Sequence, residues 1–323
     1  YGTLFFCGSE HGSMGFGAYA RSAGVERLIS REDYEAAHGT GDFDGYWGIW
    51  DEPFLQYAGE VLDSVPEPFF ATLFTLSAHH PFVVPDAYAA TLPAGYTKIH
   101  RGVAYDDEAF RRFFARYGGE AWFRRTIFVF VADHVSSEKF APETRTYPGN
   151  MHILGFLYTP DGALQGEIGE VTQQLDIMPT LLGLLGCDEA YFAFGRDVLN
   201  EPARPRWSVS YDGGFRALTG DTVLTFDDNG SQITPRTDRA AMPPAVSGAV
   251  PAAKASGGTM VAPERTGEPS TAPTSGAPAE KRPSAPGASP VVRSAEELLG
   301  DFQALVQQYY MHIEKKNYTT HDD

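Results

Sequence analysis

Short apolar runs alternate with amphipathic stretches over about the first 200 residues. Phe69–Leu76 and Ile153–Tyr158 are typical of buried strands, and Thr126–Val131 is the strongest strand candidate because it is β-branched and aromatic and carries no charge. Ala104–Tyr117 has aromatic residues at helical spacing, and Asp176–Leu185 is a helix followed by a glycine stop. This order predicts an α/β domain with a mostly parallel sheet flanked by helices.

The pattern changes after residue 204, which we take as the end of this first domain. Strand-like segments around paired glycines predict a small antiparallel β appendage at residues 205–240. Residues 241–293 are dominated by Ala, Pro, Gly, Ser and Thr and contain no aromatic residue, so they are expected to be a disordered linker. Ser294 and Glu297 form a capping box before an apolar stripe, which predicts an amphipathic helix at residues 294–316. This helix either docks back onto the domain, the favoured alternative, or binds a partner.

Composition removes several classes of function. Lys and Arg number 25 against 42 Asp and Glu, a net charge of −17, which argues against nucleic acid as a partner. The two cysteines, Cys7 and Cys187, are too few for a disulfide framework or a Cys-rich metal site, and whether they pair stays open. The sequence shows no apolar run long enough for a membrane span and no signal peptide. Because the chain opens at Tyr1 within a strand-like run, we expect a segment upstream of it.

Candidate metal ligands follow the strongest strand. Asp133 and His134 come directly after Thr126–Val131 and Ala132, so both side chains are expected at the carboxyl edge of the sheet, where ligands bind in open α/β folds. A carboxylate oxygen and an imidazole nitrogen suit a divalent metal such as Zn²⁺ or Mn²⁺. The alternative is an Asp that caps a turn, with a His beside it by chance.

Histidines also follow Phe69–Leu76. His79 and His80 lie on its exit loop, where an imidazole could bind an anionic substrate or protonate a leaving group. The alternative is a loop histidine beside a structural proline. Because two strands are each followed by such residues, His79 and His80 after one and Asp133 and His134 after the other, the combination supports a functional site more strongly than either motif alone. His11 lies in a glycine-rich turn after an apolar strand, which is weaker because it lacks the lysine of a phosphate loop.

Two further features are ambiguous. Trp47 and Trp50 stand beside Asp51 and Glu52, where they could line a sugar or glycerol pocket or open the following helix, and the structural use is slightly favoured. No serine stands in a nucleophile elbow. The only substitutes are Ser9, Ser13 and Ser77, none of which ends a strand beside an obvious metal carboxylate.

Together these segments resemble a known family. The ordered motifs FFCGSEHGSMGF, DGYWGIWDEPF, TLSAHHPF, AYDDEAFRRFF, TIFVFVADHVS and QQLDIMPTLLGLLG are similar to the lipoteichoic-acid-synthase-like branch of the sulfatase family, in the alkaline phosphatase superfamily. The similarity extends over about residues 1–230, and the last helix also resembles the end of such proteins. It implies an alkaline-phosphatase-like α/β catalytic domain that acts outside the cytoplasm and is anchored in a membrane through an upstream region.

The resemblance also assigns roles. Asp133 and His134 would be metal ligands, His79 would lie near the transferred group, and His11 would lie on the substrate side. The expected cofactor is a divalent metal, with Mn²⁺ favoured and Mg²⁺, Zn²⁺ or Ca²⁺ as alternatives. The family's first metal carboxylate and its threonine nucleophile match upstream of Tyr1, so no catalytic nucleophile is identified within the chain, and Phe16 replaces an arginine of the synthases.

The leading hypothesis is therefore a metal-dependent phosphoglycerol transferase or sulfatase-like hydrolase. Its substrate would be a phospholipid or a polyol phosphate or sulfate ester, and the 323-residue chain is expected to be inactive by itself. The alternative is a non-catalytic surface or scaffold domain that retains the fold. The presence of Asp133, His134 and His79 argues against that alternative.

Overall fold

The computed structural model describes residues 1–201, 206–227, 230–236 and 294–315. The chain divides into two compact units, Tyr1–Gly169 and Glu170–Asp323. The linker predicted at residues 241–293 lies outside the described residues. The predicted domain boundary at residue 204 stays a prediction.

The first unit contains parallel strands that carry helices between them. β1, Gly2–Cys7, is central in a three-stranded parallel sheet of order β2-β1-β3, in which β2 is Arg27–Ile29 and β3 is Phe69–Phe74. β4, Phe128–Val131, pairs antiparallel with β5, Gly155–Tyr158. The helices are α1 Phe16–Ser22, α2 Arg31–His38, α3 Asp51–Asp63, α4 Asp86–Ala89, α5 Lys98–Tyr117 and α6 Ala121–Arg124. The mostly parallel α/β class expected from the sequence is confirmed, with β4 and β5 as the antiparallel part.

Helix α5 is the longest element of this unit. Its buried residues recur every three or four positions, at Gly102, Tyr105, Ala109, Phe113 and Tyr117, which gives one apolar face. That face packs into a core with α3, β1, α6 and β4. The helix begins at Lys98, six residues before the predicted start at Ala104. The prediction missed these residues because a glycine and charged side chains interrupt the apolar pattern, and because the capping box at Thr97 uses His100 in place of the usual Glu or Gln.

Strand β3 ends earlier than predicted. The strand stops at Phe74, whereas the apolar run continues to Leu76. The amides of Leu76 and Ser77 leave the sheet and donate instead to the buried carboxylate of Asp51. A long-range acceptor therefore sets the end of β3, and the local pattern does not reveal it.

The second unit contains the antiparallel appendage. It has α7, Ile177–Leu184, followed by β6 Ser208–Tyr211, β7 Phe215–Thr219, β8 Thr222–Asp227 and β9 Gly230–Pro235, which form one antiparallel sheet in that order. The sequence predicted the first and third of these strands and not the complete sheet. Gly213 and Gly220 have φ values of 66° and 53°, which allows the tight turns between β6, β7 and β8.

The last helix docks on this sheet. α8, Ala295–Lys315, begins after Ser294, whose N–H donates to Glu297 while the Glu297 N–H donates back to its hydroxyl. Phe302 is fully buried against Ala217 and Leu224 and stacks on Trp207 at 6.1 Å between ring centroids. The helix therefore packs on the antiparallel sheet of the second unit, and docking onto the first domain stays a prediction.

Two other expectations concern the whole chain. None of the helices within the described ranges has both the length and the apolar content of a membrane span. Cys7 and Cys187 are free thiols, the first buried and the second exposed.

The contact of α3 with α5 generates a stability prediction. At Gly59 in α3 an added methyl would overlap the ring of Tyr117, whose hydroxyl donates to the carbonyl of Gln56 at 2.7 Å and holds the ring in place. We expect Gly59→Ala to lower the free energy of unfolding by about 1–3 kcal/mol, measured by urea denaturation. Gly119→Ala is the matched control because nothing lies within 4 Å of its Cβ position. Equal effects of the two substitutions would contradict the close packing of these helices.

Candidate active site at the strand exits

Asp133 and His134 lie on the exit loop of β4. The Nδ1 of His134 is 2.8 Å from the carbonyl of Val135, and because a carbonyl only accepts, Nδ1 carries a proton and Nε2 is the ring nitrogen that can bind a metal. That Nε2 lies 3.3 Å from Oδ2 of Asp133, and the Oδ1 of Asp133 accepts the His134 N–H at 2.9 Å. Both side chains are open to solvent, with 70% of His134 and 59% of Asp133 exposed. The loop therefore presents two metal-type donor atoms side by side.

His79 lies on the exit loop of β3, and its ring, like that of His134, is held by a bond from Nδ1 to the backbone carbonyl of the next residue. Its Nδ1 is 2.8 Å from the carbonyl of His80, so Nδ1 donates and Nε2 is available to a ligand. The ring packs on Trp47 at 4.6 Å between centroids. A turn closed by the His79 N–H on the carbonyl of Leu76, at 3.0 Å, places the residue directly after the buried end of the strand.

Trp47 is itself held from two sides. Oδ1 of Asp44 accepts the N–H groups of Tyr46, Trp47 and Gly48 at 2.7, 2.7 and 3.1 Å, which fixes the loop. The indole N–H of Trp47 donates to Ser13 in the glycine-rich turn at 2.9 Å. The tryptophan therefore connects the glycine-rich turn to His79, and the carboxylate of Asp44 supports a loop rather than lining a pocket.

The first two turns of α5 touch both exit loops. A Cβ at Gly102 would lie 3.2 Å from Cα of Ala78, so the helix backbone approaches the His79 loop closely. At the start of the helix, the N–H of Ile99 donates to Glu138 at 2.8 Å, and Glu138 belongs to the loop that begins with Asp133 and His134. The loops that follow β3 and β4 are thus anchored on one short stretch of α5, four residues long.

A pocket lies at this junction, and no sequence pattern predicts it. Its volume is about 480 Å³, and its lining comprises Phe82, Ala94, Gly95, Tyr96, Thr97, Lys98, Arg101 and Glu138. Lys98 and Arg101 occupy the first turn of α5, where the helix dipole disfavours positive charge. Nε of Arg101 is buried, and its guanidinium forms no hydrogen bond or ion pair with the described part of the chain. Two cations that do not serve the helix indicate a role toward an anion.

The remaining predicted residues are His11 and the serines considered as substitutes for the nucleophile. His11 is exposed, its N–H donates to Glu32 at 3.1 Å, and its ring lies against Gly17. Ser9 and Ser77 are buried, so neither hydroxyl is presented to a substrate. Within residues 1–201, 206–227, 230–236 and 294–315, no group of three or more His, Cys, Asp and Glu is arranged to hold a metal.

Comparison with known proteins identifies the family. The profile described as Sulfatase matches residues 1–187, which is more than half of the chain and includes β1, β3, β4 and both exit loops. The chain belongs to the sulfatase family. This confirms the resemblance found in the sequence, and the exit loops of β3 and β4 are therefore parts of a sulfatase-family domain.

The curated proteins that are similar to this sulfatase-family chain include lipoteichoic acid synthases and a lipoteichoic acid synthase-like protein. The protein YvgJ of Bacillus subtilis, a lipoteichoic acid synthase-like protein, is 26% identical over 235 residues, which cover 65% of this chain and 36% of YvgJ. Lipoteichoic acid synthase 2 of the same organism is 27% identical over 176 residues, 49% of this chain and 27% of that protein. The chain thus matches only about a third of the length of these curated relatives.

Solved structures agree on the fold. A protein of the alkaline phosphatase superfamily from Vibrio parahaemolyticus superposes with a TM-score of 0.63 at 24% identity, covering 75% of this chain and 59% of that one. The lipoteichoic acid synthase LtaP from Listeria monocytogenes superposes with a TM-score of 0.60 at 22% identity, covering 73% and 62%. Both place the sulfatase-family chain in an alkaline-phosphatase-type fold.

Proposed function

We propose that this sulfatase-family chain carries part of the active site of a metal-dependent phosphoglycerol transferase or sulfatase-like hydrolase. The substrate is a phosphate or sulfate ester, either a phospholipid or a polyol ester. On the same resemblance, we propose that the reaction takes place outside the cytoplasm in a membrane-anchored protein. The observation that carries the proposal is the pair of donor atoms on the β4 exit loop.

These donors fit a divalent metal. Nε2 of His134 and Oδ2 of Asp133 lie 3.3 Å apart, which would allow both atoms to bind one ion, and a nitrogen and a carboxylate oxygen are ligand types that divalent metals accept. The bond from Nδ1 of His134 to a backbone carbonyl is the usual support of a metal-bound imidazole. Asp133 and His134 would therefore hold the metal, with Mn²⁺ favoured and Mg²⁺, Zn²⁺ or Ca²⁺ as alternatives. When bound, it would supply a positive charge that activates a hydroxyl and stabilises the transferring group.

His79 is proposed to handle the leaving group. Its Nδ1–H is committed to the His80 carbonyl and its ring is held on Trp47, so protonation at Nε2 creates a donor in a fixed direction. A donor of that kind can protonate the departing oxygen as the ester bond breaks. No described residue is assigned the role of nucleophile. Experiments on turnover therefore use the protein as its organism makes it.

Lys98 and Arg101 are proposed to hold the anionic ester. The pocket that they line is bounded by Phe82 from the β3 exit and Glu138 from the β4 exit, so an ester bound there is next to both loops. The planar guanidinium of Arg101 can form paired hydrogen bonds with two oxygens of a phosphate or sulfate group. Glu138 accepts the Ile99 N–H and is also stabilised by the charge of Lys98, so Arg101 is the cation of the pair that we expect to bind the ester most directly.

Three alanine variants test the metal assignment. In the full-length protein, Asp133→Ala and His134→Ala should each lose bound metal and activity together, because each removes a ligand, while the circular dichroism spectrum is unchanged. His79→Ala is the matched control, since it should retain the metal and lower kcat about 10²- to 10⁴-fold. Metal content by mass spectrometry and turnover of a phosphodiester are measured on the same samples. Unchanged metal in both ligand variants would refute the assignment, and a metal-free wild type would favour the non-catalytic scaffold.

Arg101→Ala tests the anion pocket. A hydrogen bond to a charged group contributes about 1.5–3 kcal/mol, so the variant should raise KM for the ester roughly 10- to 100-fold with a smaller change in kcat. Arg111→Ala is the control on the same helix, because Arg111 is exposed and pairs with Glu108 at 2.6 Å. A KM that is unaltered in Arg101→Ala would exclude the pocket from substrate binding.

A further inference from the structure

Two carboxyl groups are buried together behind the exit loop of β3. Asp51, the first residue of α3, is 1% exposed, and Asp106 in α5 has its Oδ1 atom buried. The two carboxyl groups lie within hydrogen-bonding reach of each other. Since an ionised carboxylate is only an acceptor, a hydrogen bond between two carboxyl groups requires a proton on one of them.

Nothing around the pair offers a compensating positive charge. Neither carboxyl forms an ion pair within the described part of the chain, and the Oδ1 of Asp106 receives no donor there. Burial raises the pKa of Asp51, and burial together with the neighbouring Asp51 raises the pKa of Asp106 well above its usual value. Two such groups in contact cannot both ionise without a large electrostatic cost, so a single proton satisfies the geometry.

Other titratable groups face the pair from each neighbouring element. From α5, Tyr105 is fully buried, and its hydroxyl accepts the N–H of Glu52 in α3 at 3.2 Å. From β1, the buried Cys7 thiol feels the charge of Asp51, which contributes to raising its pKa, although burial is the larger cause. These groups are neutral or acidic, so none of them neutralises a second negative charge at Asp51 and Asp106.

Asp51 in turn fixes the start of the His79 loop. Its carboxylate accepts the N–H of Leu76 at 2.9 Å and the N–H of Ser77 at 2.6 Å, and its own N–H donates to the Ser77 hydroxyl at 3.0 Å. The Leu76 carbonyl then accepts the N–H of His79 at 3.0 Å. A continuous path of hydrogen bonds thus leads from Asp106 on α5 through Asp51 to the turn that carries His79.

We propose that Asp51 and Asp106 share one proton and act as a positioning pair, which locks the β3 exit loop onto α5 and so orients His79. The shared proton stands on the geometry of the pair, whereas the effect on His79 rests on the proposed function. The neutral carboxyl belongs to Asp106, because Asp51 accepts two backbone N–H bonds that favour its ionised form.

The proton has a signature in the pH dependence of stability. The pKa of Asp106 is raised in the folded chain, so its contribution to stability is complete below the pKa of the unfolded carboxyl, about 3.9, and is lost as the pH rises through the folded value. Over that window the unfolding constant of the wild type rises up to tenfold per pH unit because of this one proton. Asp106→Asn keeps a neutral donor beside Asp51 at every pH, so its unfolding constant should rise less steeply.

The experiment compares urea unfolding of the 323-residue wild type, Asp106→Asn and Asp107→Asn. The pH is varied from about 5 to 8, because this range lies above the pKa of a carboxyl in the unfolded chain, about 3.9. Asp107 is exposed and adjacent on the same helix, so Asp107→Asn removes the same charge and should follow the wild type. An infrared difference spectrum, wild type minus Asp106→Asn at neutral pH, should show the C=O stretch of a protonated carboxylic acid. Identical pH slopes in all three proteins, or no such band, would overturn the shared proton.

The link to His79 is measured separately. In the full-length protein the alkaline limb of the kcat profile should move to higher pH in Asp106→Asn and stay in place in Asp107→Asn, while Asp51→Asn should speed amide exchange at Leu76 and Ser77. An unmoved alkaline limb, or unchanged exchange in Asp51→Asn, would overturn the positioning role. If the wild type shows no metal-dependent ester turnover at all, the proposed function fails, and the unfolding and infrared results still decide whether the proton is shared.

Discussion

The packing of the first turns of α5 against two loops is the contact on which the candidate site depends. Gly102 lets the helix backbone approach Ala78, and the Ile99 N–H binds Glu138, so one rigid element holds the loops that follow β3 and β4. A side chain at Gly102 would separate the helix from the His79 loop. Because the same turns carry Lys98 and Arg101, the helix also supplies positive charge to the pocket between the loops.

Much of the fold follows from local pattern. The strands β3, β4 and β5 and the helix α7 lie where the apolar runs predict them. The expected complete burial of β3 and β5 is wrong, because their residues are half-buried or exposed, and Phe156 on β5 is 48% exposed. The ends of these elements do not follow in the same way. Strand β3 stops where the N–H groups of Leu76 and Ser77 donate to the Asp51 carboxylate. Helix α5 begins at Lys98 with a local capping box of Thr97 and His100, to which Glu138 from a distant loop adds a bond from the Ile99 N–H. Long-range hydrogen bonds of this kind leave no trace in the periodicity of a short window.

The residues of the candidate site also differ in whether local sequence pattern or tertiary contact identifies them. The sequence predicts His79, Asp133 and His134 as site residues, because each is a polar residue that closely follows an apolar strand. Arg101 and Asp106 were missed, since on a helix surface they resemble ordinary charged residues, and only tertiary contacts show that one faces a pocket and the other a buried carboxylate. Asp51 was noticed as a possible pocket residue beside the tryptophans, and the structure assigns it to the loop's internal support instead. The metal and substrate roles stay predictions.

The central claim is that both exit loops serve one metal-containing site. Paramagnetic broadening by Mn²⁺ in the full-length protein, labelled with ¹³C-histidine, tests it directly because the effect falls steeply with distance from the ion. The account predicts that substoichiometric Mn²⁺ broadens the imidazole signals of His134 and His79. His38 should stay sharp, since it binds Glu60 at 3.1 Å, which is nine residues and about 13 Å along α3 from Asp51 at the site end. Broadening of His134 without His79, or of all three alike, would contradict a single shared site.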